Sequence, residues 1–103
     1  MINVLPKYLE IIYKILQKHV PECEARVFGS RITGRVKKYS DLDLAVVGKT
    51  KLLTDVLYLL KEDFQESDLP FRVDVLDWNA ISKEFQRVIE EKYEIIQKPG
   101  DNN

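Results

Sequence analysis

Apolar positions along this chain recur with two periods, and the switches between them mark its elements. Leu9, Ile12 and Leu16 fall on one face at helical spacing, so residues 7–19 read as a helix. Pro6 suits its first turn and Pro21 stops it. Residues 24–29 read as a short strand running into Gly29. The stretch DLDLAVV, residues 41–47, alternates with period two and reads as a strand entering the core. Thr50 is placed to cap a helix over 51–64 with Leu53, Val56, Leu57, Leu60 and Phe64 inward. After Pro70, FRVDVLD (71–77) alternates again as a strand. Asn79 is placed to cap a further helix facing inward through Ile81, Phe85, Val88 and Ile89, and residues 93–97 add an edge strand. Tyr8, Ile11, Ile15 and Tyr58 are left on the surface.

This order predicts a mixed α/β domain, a small sheet flanked by helices. The 103 residues suit one domain over 1–97 followed by a frayed tail, 98–103. The chain is 45% hydrophobic and 32% charged, values of a soluble globular protein. No apolar run approaches a membrane span, and no signal peptide is expected because Pro6 and Lys7 interrupt the first apolar stretch. Cys23 is the single cysteine, which excludes an internal disulfide and points to a reducing cytoplasm; it reads as structural. His19, at a helix end, suits the dipole, and Trp78 reads as core.

Charge changes the picture locally. A net charge of -1 excludes the basic footprint of a binder of long nucleic acids. Residues 25–40, however, contain no acid and carry Arg26, Arg31, Arg35, Lys37 and Lys38, up to an abrupt stop at Asp41. A cationic segment beside carboxylates suits a polyphosphate and its metal.

Asp41 and Asp43 are two apart on a strand, so both point from one face. Like charges this close oppose one another unless a cation lies between them, and carboxylate oxygens are how Mg²⁺ is held beside phosphates. Asp74, flanked by Val73 and Val75 in an apolar strand, is the candidate third acid. Arg72 shares its face and offers a simple ion pair instead. Asp77 competes with Asp74 but has the opposite parity and suits a cap. Gly29-Ser30 follows a strand, and glycine lets amides approach a phosphate while the serine adds a donor. The G-x-x-x-x-G-K-[ST] pattern is absent.

Taken together, Gly29-Ser30, ten intervening residues, Asp41-Leu42-Asp43 and a later Asp74 resemble the signature of the nucleotidyltransferase superfamily related to DNA polymerase β. The length and the pattern Gly29-Ser30-Arg31-x-x-Gly34 resemble its minimal nucleotidyltransferases, with Ile32 where many members have a small residue. The resemblance implies a mixed sheet flanked by helices, ATP as donor and two Mg²⁺ ions held by Asp41, Asp43 and Asp74. In that setting Ser30 and the Gly29 and Ser30 amides are expected to hold the β- and γ-phosphates, with Arg31, Arg35, Lys37 and Lys38 as unranked candidate charge donors to the leaving group. It also implies a partner: such chains are often antitoxins that transfer AMP to a tyrosine of a helical HEPN-type ribonuclease toxin. The alternatives are a non-catalytic subunit that covers a toxin, and nucleotidyl transfer to a small molecule. Homo- or hetero-oligomers are compatible with either.

Overall fold

The computed structural model describes residues 2–33 and 40–100. Helix α1, Pro6–His19, begins on its proline and buries Ile12, Ile15 and Leu16. Ile15 therefore belongs to the core and not to the surface. Helix α1 packs against both a second helix and the sheet, which covers a wider stripe than Leu9, Ile12 and Leu16 define.

Strands β1 (Glu24–Phe28), β2 (Leu42–Val47), β3 (Val73–Asp77) and β4 (Glu94–Gln97) form one mixed sheet in the order β3-β2-β1-β4. Strand β1 runs antiparallel to both neighbours, whereas β2 and β3 are parallel. A parallel pair needs a crossover, supplied here by helix α3, Thr54–Gln65. The short helix α2, Ser30–Thr33, follows β1. Alternation sends Ala25, Val27, Leu42, Leu44, Val46 and Val75 to one face, where they join Ile12, Leu16, Leu60 and Phe64 in the core. His19 Nε2 lies 2.8 Å from Asp63 Oδ2 and ties the end of α1 to α3. Buried Gln97 donates through Nε2 to the carbonyls of Val20 and Cys23, fastening β4 to the turn after α1.

Two helix starts differ from the sequence reading. Thr50 caps nothing; α3 begins four residues later behind Leu53, which is 70% exposed. The intervening segment is held to the end of β3 instead. Leu52 N–H donates to Asp77 Oδ2 at 2.8 Å, and Asn79 Nδ2 donates to Gly48 O at 2.9 Å. Asn79 itself lies in a 3₁₀ turn, Trp78–Ala80, capped by Asp77. Helix α4 starts afterwards, Lys83–Glu91, with Ser82 Oγ accepting from Phe85 N–H. It buries only Ile89, leaving Val88 59% exposed and Phe85 edge-on to Phe28. The described part of the tail returns to the fold through Gly100 N–H on Pro21 O at 3.3 Å. Among the described residues, no helix is long and apolar enough to cross a membrane.

Candidate active site

The chain leaves β1 at Gly29, whose φ of +81° lies in the region that favours glycine. Helix α2 starts on the next residue, with Ile32 and Thr33 N–H donating to Gly29 O at 3.0 and 3.1 Å. Gly29 also faces β2 at close quarters: a β-carbon there would overlap Oδ2 of Asp43. The backbone of the Gly29–Ser30 turn is thus pressed against a carboxylate from the neighbouring strand.

Register assembles the rest. Phe28 on β1, Asp43 on β2 and Asp74 on β3 lie on one rung of the sheet. Asp43 and Asp74 are directly paired in the parallel ladder, so alternation puts both carboxylates on the face away from α1 and α3. Asp74 is exposed, not buried as its apolar flanks imply, because β3 is an edge strand and this end of the face is open. Asp43 is half-buried. Desolvation pushes its carboxyl above the usual range, the charges of Asp74 and Asp41 push it further, and Arg72 acts in the opposite sense. The acids therefore feel one another, and a positive charge among them would relieve that repulsion.

Arg72 pairs with Asp41, Nη2 to Oδ2 at 3.1 Å, and not with Asp74. The reason is again register: Leu42 is level with Val73, which brings the residues before them together. Sequence parity placed Arg72 on the Asp74 face but carried no information about which strand lies alongside.

Arg31 departs furthest from its expected role as a phosphate ligand. It is only 6% exposed. Its Nε and Nη2 donate to Ser40 O at 3.1 and 2.7 Å, and Nη1 donates to Asn3 O at 2.9 Å. The guanidinium carbon lies 4.1 Å from the centre of the Phe71 ring. The side chain therefore joins the N-terminal segment, the residue before Asp41 and the start of the Asp74 strand. Burial lowers its pKa and nearby Asp41 partly offsets that. Lys37, Lys38, Arg35, Gly34 and Tyr39 lie outside the described residues.

Further along the same face, the sheet is covered. Arg26 sits between the rings of Trp78 and Tyr93, at 4.7 and 4.6 Å from their centres, and bonds Glu24. Trp78 is half-buried in this stack. Asp77, by contrast, faces the other way and is 6% exposed, accepting from Leu52 and Asn79 amides. It is a structural acid, as its parity predicts.

A family model for "Polymerase beta, Nucleotidyltransferase" matches residues 10–100. The chain belongs to that nucleotidyltransferase family. It is 44% identical over 97 residues to the probable protein adenylyltransferase MntA of Haemophilus influenzae, covering 94% of this chain and 85% of that protein. The fold matches a crystal structure of a toxin–antitoxin complex with AMP-PNP at a TM-score of 0.74, with 23% identity over 87% of this chain and 73% of that one. It also matches the MntA–HepT toxin–antitoxin complex at 0.69, with 20% identity, covering 95% of this chain and 77% of that one. A third match, at 0.66 and 22% identity over 87% of this chain and 69% of that one, is the tri-AMPylated HEPN toxin of Shewanella oneidensis with its MNT antitoxin. At these identities the structural matches speak for the fold.

Carboxylate oxygens are the chemistry a hard divalent cation takes, and Asp41, Asp43 and Asp74 are the candidates for it; burial first, and then the charges of Asp74 and Asp41, push the Asp43 carboxyl up. Among the described residues, no three His, Cys, Asp or Glu side chains are grouped as a ready set of ligands. Register brings Asp43 and Asp74 together, while Arg72 holds Asp41.

Proposed function

We propose that this nucleotidyltransferase transfers AMP from ATP to a protein hydroxyl, acting in the cytoplasm as the antitoxin of a helical HEPN-type ribonuclease toxin with a tyrosine as acceptor. The observation that carries the reading is the rung that sets Asp43 beside Asp74 and presses Asp43 against the Gly29–Ser30 turn. The 44% identity to a probable protein adenylyltransferase supports the choice of AMP and of a protein acceptor.

Asp41, Asp43 and Asp74 are the residues that would hold two Mg²⁺ ions, which supply charge neutralisation at the triphosphate and acidify the acceptor hydroxyl. Gly29 and Ser30 amides and the Ser30 hydroxyl donate to the β- and γ-phosphates. Asp74 accepts the proton as the acceptor oxygen attacks the α-phosphorus. The bond between that phosphorus and the bridging oxygen breaks, and pyrophosphate leaves on the Gly29–Ser30 side. Lys37, Lys38 and Arg35 are the candidate cations for the leaving group. Arg31 holds the frame.

The test uses ATP labelled at the α- or γ-phosphate, Mg²⁺ and a HEPN-type toxin. Label from the α position alone should become covalently attached to the toxin and vanish with Asp43→Asn. A stoichiometric complex without label would make this chain a non-catalytic blocker instead.

A further inference from the structure

Helix α2 is a single turn, Ser30–Thr33, and its first residue, Ser30, is the proposed phosphate donor. A lone turn of helix has no stability of its own, because the entropy of fixing its residues is not repaid within it. Ile32 and Thr33 N–H reach back to Gly29 O, but the carbonyls of the turn need partners from elsewhere in the chain.

One such partner comes from the segment before α1. Asn3 N–H donates to Arg31 O at 2.9 Å, and Arg31 Nη1 donates back to Asn3 O at 2.9 Å. The two bonds tie residues 28 apart in sequence, and on the Asn3 side both use the backbone. Ile2 and Val4, on either side of Asn3, pack against the core and anchor it. Leu5 O then accepts from Tyr8 and Leu9 N–H, so the segment runs directly into α1. The Tyr8 ring meets Phe71 edge-on at 5.9 Å, and Phe71 is the ring on which the Arg31 guanidinium lies. Arg31 is thus gripped at its backbone carbonyl, at its guanidinium and at the ring beneath it.

We infer that residues 2–5 are a strap that holds the phosphate turn in its working geometry, with Asn3 as a positioning residue for AMP transfer. The inference rests on the adenylyl-transfer reading above and adds to its machinery a segment without an ionisable side chain. Charge grows on the departing pyrophosphate as its bond to the α-phosphorus breaks, so donors at Ser30 act chiefly in the transition state. A turn that tilts loses that contribution while it can still hold the triphosphate before reaction. The loss should therefore fall on kcat and leave the KM for ATP near wild type.

Asn3→Pro tests the strap, since proline lacks the amide that meets Arg31 O. With a HEPN-type toxin as acceptor, kcat should fall about tenfold while the KM for ATP stays within about twofold. The Ile32 and Thr33 amides should exchange with solvent about tenfold faster. Asn3→Ala keeps both backbone groups and should restore wild-type kcat and exchange. Asn3→Pro combined with Arg31→Met should lose less than the product of the separate losses, because both act on one helix. As a check independent of any variant, the Asn3 amide of the unmodified chain should exchange about tenfold more slowly than in an unstructured peptide. Wild-type kcat in folded Asn3→Pro, an equal loss in Asn3→Ala, fully multiplicative losses in the double variant, or an unprotected Asn3 amide overturns the strap. Wild-type chain that binds Mg-ATP and the toxin yet transfers no label overturns the adenylyl-transfer reading instead, and is told apart because protection at Asn3 and faster exchange in Asn3→Pro survive it.

Discussion

Gly29 and Asp43 occupy each other's space so closely that no side chain fits at position 29. Two independent constraints meet there, a left-handed backbone angle and a carboxylate from the next strand. Gly29→Ala should destabilise the fold by about 1–3 kcal/mol through strain alone. Because the overlap falls on Asp43, it should also lower AMP transfer by about a hundredfold, the effect of an ångström-scale displacement of a reacting group. Thermal denaturation and single-turnover transfer measure the two losses separately.

Asp43 bears the cost of burial and of its acidic neighbours. Its folded pKa is raised, first by burial and then by Asp74 and Asp41. A carboxyl with a raised folded pKa favours the native state below its unfolded pKa, and that contribution is lost as pH rises through the folded value. Asp43→Asn removes the charged form. In the absence of divalent cations the variant should melt above wild type at pH 7, and the gap should shrink toward pH 3. The same variant should transfer no AMP. Melting curves across pH with EDTA present check the first statement, and an equal gap at both pH values contradicts it.

Arg31 holds three segments by hydrogen bonds to Ser40 and Asn3 and by its stack on Phe71. Arg31→Met should cost about 1–3 kcal/mol of stability, because buried carbonyls lose their donors. Lysine cannot reproduce the planar fork, so Arg31→Lys should recover little. In both variants kcat should fall with little change in KM for ATP. A phosphate ligand would show the opposite split, a raised KM with stability intact.

Asp74 and Asp77 separate chemistry from structure within one strand. Asp74 is exposed and Asp77 is buried under two backbone amides. Asp74→Asn should not lower the melting temperature, since it relieves the repulsion on Asp43, and should remove most transfer while Mg-ATP still binds. Asp77→Ala should cost about 1–2 kcal/mol, as the loss of a capping acceptor does, and leave kcat near wild type wherever the protein is folded. Calorimetry and toxin labelling on the same two samples decide between them.

Much of the site was readable because its chemistry is local. The Gly29-Ser30 pair, the Asp41–Asp43 spacing and the parity that separates Asp74 from Asp77 need only the period of a strand. The helix starts failed where a distant group outbid a local cap. Thr50 has the right residue type, but Asp77 and Asn79 hold residues 48–52 in place from β3 and the turn beyond it. Val88 and Phe85 have helical spacing, yet α4 has too little sheet beneath it to bury them.

The amino-acid order by itself determined the strands and the approximate place of the main helices, the alternation that sends Asp41, Asp43 and Asp74 to one face and Asp77 to the other, and the family to which the chain belongs. Those follow from periods of a few residues and from a short spaced motif. Only the tertiary structure decided that Asp43 and Asp74 share a rung, that Arg72 answers Asp41, that Arg31 is interior, and that β3 is the outermost strand on its side among the described strands. Strand order and register are set by which distant surfaces bury one another, and no local period encodes that choice.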